Sequence, residues 1–325
     1  MNMSERIDIL KQRIDEELYL YFQGKKPHIL YEPMSYTVTA GGKRIRPLLV
    51  ILACQSVGGC IEDCIHAALA VEILHTFTLV HDDIMDHDDM RRGKPTVHKK
   101  WDESTAILAG DGLVTEAYRM LLKTEHACLK LVLQKFTDGL LVLCIGQALD
   151  KMFETQDSIS IANYEDMINK KTTMLIEVAC EIGAILGNGT EEEQLVLKGF
   201  AHCLGKAFQI QDDLMDIFSE EKILGKKCGS DLIEKKKTYP TLYFLNHSSS
   251  LSKERFQKLW KKEGFGDEEV LEVRRLFDQE GIFESTRGVI RKLIAQSVEC
   301  LNKLKSGEPR EDLKMLAFMI QDRVA

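Results

Sequence analysis

Residues 74–98 read LHTFTLVHDDIMDHDDMRRGKPTVH, and the rest of the chain is organised around them. Five aspartates fall within eight residues (Asp82, Asp83, Asp86, Asp88 and Asp89), followed by Arg91, Arg92 and Lys94. Like charges at helical spacing repel, so a helix ending in this many carboxylates needs compensation, which divalent cations supply. Asp82 and Asp86 are four apart and Asp83 and Asp86 three apart, so on a helix all three can share a face. Oxygen ligands from one or two carboxylates suit Mg²⁺, which keeps waters and completes its shell with phosphate oxygens. The basic residues downstream would grip the same phosphates. The competing reading is a solvated acidic helix end, and a second copy of the motif weighs against it. Residues 209–216 read QIQDDLMD, with Asp212, Asp213 and Asp216 at the same spacing. Each copy closes an apolar helical run and is followed by lysine or arginine. Two such clusters facing one another across a cavity would form a polynuclear magnesium site for a diphosphate.

The 325 residues suffice for a large core, and 44% hydrophobic with 29% charged content argues for a soluble globular protein. The net charge of −8, with lysines dispersed among acids, excludes a nucleic-acid-binding stripe. Nine cysteines make an odd count without a CxxC pair, and several (Cys54, Cys144, Cys180, Cys203) sit in apolar runs as small hydrophobes. A reducing, cytoplasmic location follows. Cys60 and Cys64, four apart, read as core or surface thiols before they read as metal ligands. The N-terminus, MNMSERIDILKQRIDEELY, has no apolar signal core. The longest apolar runs are expected to fall short of a transmembrane segment.

Only six prolines interrupt a pervasive helical periodicity. Helices are predicted over 5–22, from Lys43 through Arg46 and Pro47 onward, over 61–87, 106–123, 127–151, 164–186 and 191–218, and through most of 251–325. A linker is expected up to Pro33, and residues 91–95 (RRGKP) should break the helix that carries the first aspartates. A lysine-rich loop, SEEKILGKKCGSDLIEKKKTYP, follows the second motif. No linker is long enough to separate domains, and the doubled motif is the sole repeat. The expectation is an all-α fold in one domain spanning 1–325.

With GGKRIRP (41–47), the first aspartate motif followed by RRGKPTVH, and QIQDD followed by a lysine-bearing loop, the chain resembles the trans-isoprenyl diphosphate synthases, or polyprenyl synthetases. It is most similar to the short-chain branch and, within it, to the geranylgeranyl diphosphate synthases. The resemblance implies a bundle of long antiparallel helices around a deep central cavity, usually as a homodimer. It implies Mg²⁺ as cofactor, three ions per active site, with Mn²⁺ able to substitute. Asp82, Asp86 and Asp212 take the place of the main metal ligands, supported by Asp83, Asp213 and Asp216. Arg91, Lys171, Thr172, Gln209, Lys226 and Lys236 stand where the family contacts the allylic diphosphate. Lys43, Arg46, His75 and Arg92 stand at the isopentenyl diphosphate site. Two departures leave choices open. GKKCGSD has one residue more than many relatives between Lys226 and Asp231, so Lys226 and Lys227 could exchange roles. EKKKT replaces the common EGKKT, which leaves Lys235, Lys236 and Lys237 ambiguous.

The reaction implied is ionisation of an allylic diphosphate (dimethylallyl, geranyl or farnesyl), attack by the isopentenyl double bond on the carbocation, and loss of a proton. Mg²⁺ and the fixed charges of Arg91, Lys171 and Lys226 would stabilise the departing pyrophosphate. Lys43 is a point charge, whereas Arg46 and Arg92 can fork onto phosphate oxygens. His75 lies seven residues before Asp82, two turns away on the same face, and could donate to the second diphosphate. Gln209, Thr172 and the Lys171 carbonyl could turn dipoles toward the cation. No protein base stands out, so the released pyrophosphate is expected to take the proton. His81 and His87, which flank the motif, read more readily as surface histidines than as ligands.

Phe77 lies five residues before Asp82, about 7.5 Å along a helix axis, and its side chain leans toward the N-terminus. It reads as a floor under the growing tail, with small Thr78 above and Leu74 and Val71 beneath. In similar enzymes this pattern accompanies geranylgeranyl diphosphate, with a farnesyl or mixed product as the alternative. A terpene cyclase would carry an NDxxSxxxE-type second motif, absent here, and would have no use for Lys43 and Arg46. A metal-dependent phosphohydrolase would need dispersed ligands that are not evident. An inactive regulatory subunit tends to lose motif aspartates, and all six are present.

Overall fold

The computed structural model describes residues 3–219, 229–262 and 264–322, which are helical almost throughout. The helices are α1 (Met3–Phe22), α2 (His28–Val38), α3 (Ile45–Ser56), α4 (Ile61–Met85), α5 (Val97–Lys100), α6 (Glu103–Leu121), α7 (Leu129–Glu154) and α8 (Ile161–Ile168). They continue with α9 (Met174–Leu186), α10 (Glu191–Phe218), α11 (Ser230–Ile233), α12 (Tyr239–His247), α13 (Ser250–Trp260), α14 (Asp267–Gln279), α15 (Ile282–Leu301) and α16 (Glu308–Gln321). The expectation of an all-α fold holds. A short antiparallel pair, β1 (Met90–Arg91) and β2 (Lys94–Pro95), turns the chain just after the first aspartate motif. That two-residue turn has positive φ at both central positions, Arg92 (52°) and Gly93 (72°), as a type I′ turn requires.

Local chemistry sets the boundaries of the two motif-bearing helices. α4 opens with Glu62 and Asp63 in its first turn, where acids suit the helix dipole, and Asp63 Oδ2 accepts from the Cys60 N–H at 2.7 Å. α10 opens on a Thr190/Glu193 capping box: Thr190 N donates to Glu193 Oε2 at 2.8 Å and Glu193 N to Thr190 Oγ1 at 3.3 Å. Two expectations need correction. The expected linker ends at 27: residues 28–33 belong to helix α2, where burial of Met34 and Val38 outweighs the donor that Pro33 lacks. The helix expected over 164–186 is two helices joined by a π-helical turn, Asn169–Thr173.

The chain divides into two compact units: Met1–Gly139 with Leu175–Gly199 and Cys300–Leu316, and Leu140–Met174 with Phe200–Glu299 and Ala317–Ala325. In the first, α4 packs between α3 and α6 and is buried on every side from Ala67 to Leu74. By length and hydropathy α4 could cross a membrane, contrary to the expectation that every apolar run is too short. With 67% of its most apolar window buried inside the chain, it is a core helix, apolar all round because it is packed all round. In the second unit, Phe244, Phe256 and Phe277 form an aromatic core closed by Ile217, Leu232 and Leu276.

Candidate active site

In the first unit, the last turn of α4 presents Asp82 and Asp86, both half-buried, with the Asp86 N–H donating to the Asp82 carbonyl at 2.8 Å. Asp83 is buried and turned to a different task. Its Oδ1 accepts from Arg91 Nε at 2.5 Å, and Arg91 Nη2 reaches Asp88 Oδ2 at 3.3 Å. Burial pushes the Asp83 carboxyl up to about 6, against the opposing pull of Arg91. Thus one arginine of the RRGKP turn is tied back to the motif it follows.

The cations of GGKRIRP lie in the same unit. Lys43 lies in the segment before α3 rather than in the helix, because Arg44, at φ 52°, caps it in a left-handed conformation. Arg46, in the first turn, donates from Nη1 to His75 Nε2 at 3.1 Å. Desolvation, then Arg46, Arg92, Arg91 and Arg44, hold His75 well below its ordinary pKa. It is therefore neutral, its Nε2 is an acceptor, and the donor role expected of it falls to Nδ1. Arg92 donates to the Gly41 carbonyl, and its guanidinium lies where a side chain at Gly42 would sit, 2.8 Å from that Cβ position. The sequence offered no sign of what Arg44 does. Its guanidinium is buried and donates to Asp15 Oδ1 (2.7 Å), Glu72 Oε1 (2.6 Å) and the Val38 carbonyl (2.7 Å), joining α1, α2 and α4 behind the cation cluster.

In the second unit, five of the expected residues, Lys171, Thr172, Gln209, Asp213 and Lys236, line one cavity of about 110 Å³. A hydrogen-bonded chain runs through it. Thr172 Oγ1 donates to Gln209 Oε1 (2.7 Å), Gln209 Nε2 to Asp213 Oδ1 (2.8 Å), and Tyr164 Oη and Tyr239 N to Asp213 Oδ2 (2.5 and 2.9 Å). Burial pushes the Asp213 carboxyl up to about 6 despite these donors. Asp216, also buried, accepts from Ser230 Oγ at 2.8 Å and Asp231 N at 3.0 Å, which anchors α11. Asp212, between them, is half-buried. Lys171 Nζ sits 2.6 Å from Asp150 Oδ2. Of the three ambiguous lysines, Lys236 and Lys237 line the cavity, with Lys237 donating to the Phe153 and Glu154 carbonyls. Lys235 reaches the Lys262 carbonyl instead. Lys226 and Lys227 lie outside the described residues.

The π turn explains how Lys171 and Thr172 reach the cavity. A π turn spreads the backbone by one residue per turn and recurs at functional sites; here the Met174 N–H reaches back to the Asn169 carbonyl. Gly146 on α7 makes room for it, since a Cβ there would lie 2.3 Å from the Lys171 nitrogen. Tyr164, Asp150 and Gly146 were all missed by sequence reading, and a glycine inside an otherwise good helix was the only available signal.

On α4, Phe77 and Thr78 are half-buried, and Leu74 and Val71 are fully buried beneath them. Thr78 Oγ1 donates to the His75 carbonyl at 2.8 Å. His87 is exposed at a left-handed turn (φ 55°), as a surface histidine. Within either unit, the described residues gather no trio of His, Cys, Asp or Glu side chains able to hold a metal ion.

Comparison with known proteins identifies the family. The polyprenyl synthetase family profile matches residues 27–277. The chain is 38% identical over 326 residues to a short chain isoprenyl diphosphate synthase of Methanothermobacter thermautotrophicus, covering 99% of each chain. It is 40% identical over 247 residues to the geranylgeranyl diphosphate synthase of Methanosarcina mazei, covering 73% of this chain and 75% of that one. The crystal structure of geranylgeranyl pyrophosphate synthetase from Pyrococcus horikoshii superposes with a TM-score of 0.91 at 36% identity, covering 98% of both chains. The chain belongs to the polyprenyl synthetase family and is a prenyl-transferring enzyme with the all-α fold of that family.

Proposed function

We propose that this enzyme condenses isopentenyl diphosphate with dimethylallyl, geranyl and farnesyl diphosphates, and that geranylgeranyl diphosphate is its main product. The observation that carries the reading is the second-unit cavity, where Lys171, paired with Asp150, and Lys236, paired with Glu234, lie beside the ordered Thr172–Gln209–Asp213 chain. Lysines bind the allylic diphosphate, and the lone pairs that the Thr172–Gln209 hydrogen bond leaves over face the carbon that loses it. In the first unit, Lys43, Arg46 and Arg92 bind the isopentenyl diphosphate, and neutral His75 steadies Arg46. The allylic C–O bond breaks, the isopentenyl double bond supplies the electrons of the new C–C bond, and the released pyrophosphate takes the proton lost.

Asp82, Asp86 and Asp212 would hold Mg²⁺. The fit rests on their chemistry: half-buried carboxylates near helix ends, which are hard oxygen donors of the kind Mg²⁺ takes. When bound, the ions neutralise charge that develops on the departing pyrophosphate. Phe77 is the floor that limits chain length. We also propose that residues 1–325 work as one catalytic domain, and that the enzyme is a cytoplasmic homodimer; the described cysteines are all free, in keeping with a reducing compartment.

The test is the product profile with Mg²⁺, isopentenyl diphosphate and each allylic primer in turn. A dominant twenty-carbon product from all three primers is expected. Farnesyl diphosphate as the end product would refute the chain-length reading, and no condensation with any primer would refute the function.

A further inference from the structure

Phe77 and His81 are one turn apart on α4 and meet edge to face, their ring centroids 4.8 Å apart at an interplanar angle of 65°. The other side of the imidazole rests on α6, with Nε2 3.4 Å from the Ile107 carbonyl oxygen. It fits there because residue 110 is glycine. A Cβ at that position would lie 2.1 Å from Nε2 and 2.3 Å from Cδ2, and its three nearest atoms all belong to the His81 ring. Gly110 is buried in mid-helix, where glycine is among the poorest choices for the backbone, so it calls for a steric reason. The notch for His81 is that reason. These contacts all lie within the first unit.

We propose that His81, seated in the notch at Gly110, is a strut that holds the Phe77 ring across the path of the prenyl tail, so that Gly110 and His81 determine product length together with Phe77. The inference rests on Phe77 being the floor. It assigns His81 a positioning role one turn above that floor and on the wall it shares with α6. A phenylalanine without the strut can turn aside into the vacated space and let the tail pass. An alanine at 110 drives the imidazole out of its seat and disturbs the same contact by a different route.

The experiment compares products from farnesyl diphosphate, excess isopentenyl diphosphate and Mg²⁺, read by chromatography at matched conversion so that a slower variant does not mimic a different floor. Phe77→Ala is expected to give longer products. His81→Ala is expected to raise the share of products longer than the wild-type product several-fold. Gly110→Ala is expected to change the distribution only while His81 is present, so Gly110→Ala/His81→Ala should match His81→Ala alone. If Phe77→Ala leaves chain length unchanged, the floor reading fails and the strut with it. If Phe77→Ala lengthens the product but His81→Ala matches wild type, the strut fails and the floor stands. A Gly110→Ala effect that persists without His81 overturns the strut as well. Should Gly110→Ala not fold, Phe77→Ala/His81→Ala decides: products longer than those of Phe77→Ala alone would show that His81 acts other than through Phe77.

Discussion

His75 carries a pH signature that follows from its neighbours. Desolvation and the arginines around it keep the folded-state pKa well below 6.5, so the folded chain leaves His75 neutral where the unfolded chain protonates it. Stability therefore rises with pH from the depressed folded value up to about 6.5 and levels off above, because the unfolded state binds the extra proton in that window. One such group contributes at most about 1.4 kcal/mol per pH unit. His75→Gln keeps an acceptor for Arg46 without the titration, so denaturant midpoints below about pH 6 and above about pH 7 should differ less in the variant than in wild type. Equal pH sensitivity would show that His75 is not the source. Arg44 makes a second case. In GGKRIRP three cations look alike, and the aspartate spacings likewise make each motif look like a set of equal ligands. Packing separates them, and the partners are far away in sequence: Glu72 for Arg44, Tyr164 for Asp213. Spacing singled these residues out, but it carried no information on which are locked inside by distant partners. Glu72 is 2% exposed, so Arg44→Met should leave a buried carboxylate unpaired and cost about 3–5 kcal/mol, while Arg44→Met/Glu72→Met should recover most of it in chemical denaturation.

Helix periodicity made most elements legible because amphipathic patterns and caps act locally: α10 spans the predicted 191–218. The π turn was not legible. It inserts one residue into a continuous helical pattern, and NKKTT has no composition that marks it. Its cause lies on α7, where Gly146 admits the Lys171 backbone. A methyl there meets backbone rather than a flexible side-chain tip, so the π turn, not Gly146, must shift. Overpacking of this kind costs about 1–3 kcal/mol, and misplacing a positioning group by about 1 Å can cost ~100-fold in rate. Gly146→Ala is expected to remain folded, with a modestly lowered melting temperature and kcat reduced by about two orders of magnitude. A variant with wild-type kcat would show that the π turn does not set the geometry of catalysis.

Across the entire molecule, the strongest remaining demand comes from apolar surface. On α7, Leu141 is 63%, Ile145 44% and Met152 46% exposed. Their spacings of four and seven residues put them on one helix face, so they form a stripe rather than scattered single positions. Contiguous exposed apolar surface of this kind marks an interaction site, and in a homodimer the natural cover is a second copy of the chain. Leu141 and Ile145 lie within the second unit and sit on the opposite side of the helix from the core-facing Leu143. Replacing both with glutamate should leave the interior intact while setting like charges against each other where two copies meet. Sedimentation equilibrium should give the wild type twice the 37.0 kDa chain mass, and Leu141→Glu/Ile145→Glu the mass of one chain. A wild type that sediments at 37.0 kDa would refute the dimer; a double variant that stays at twice that mass would move the interface to another face.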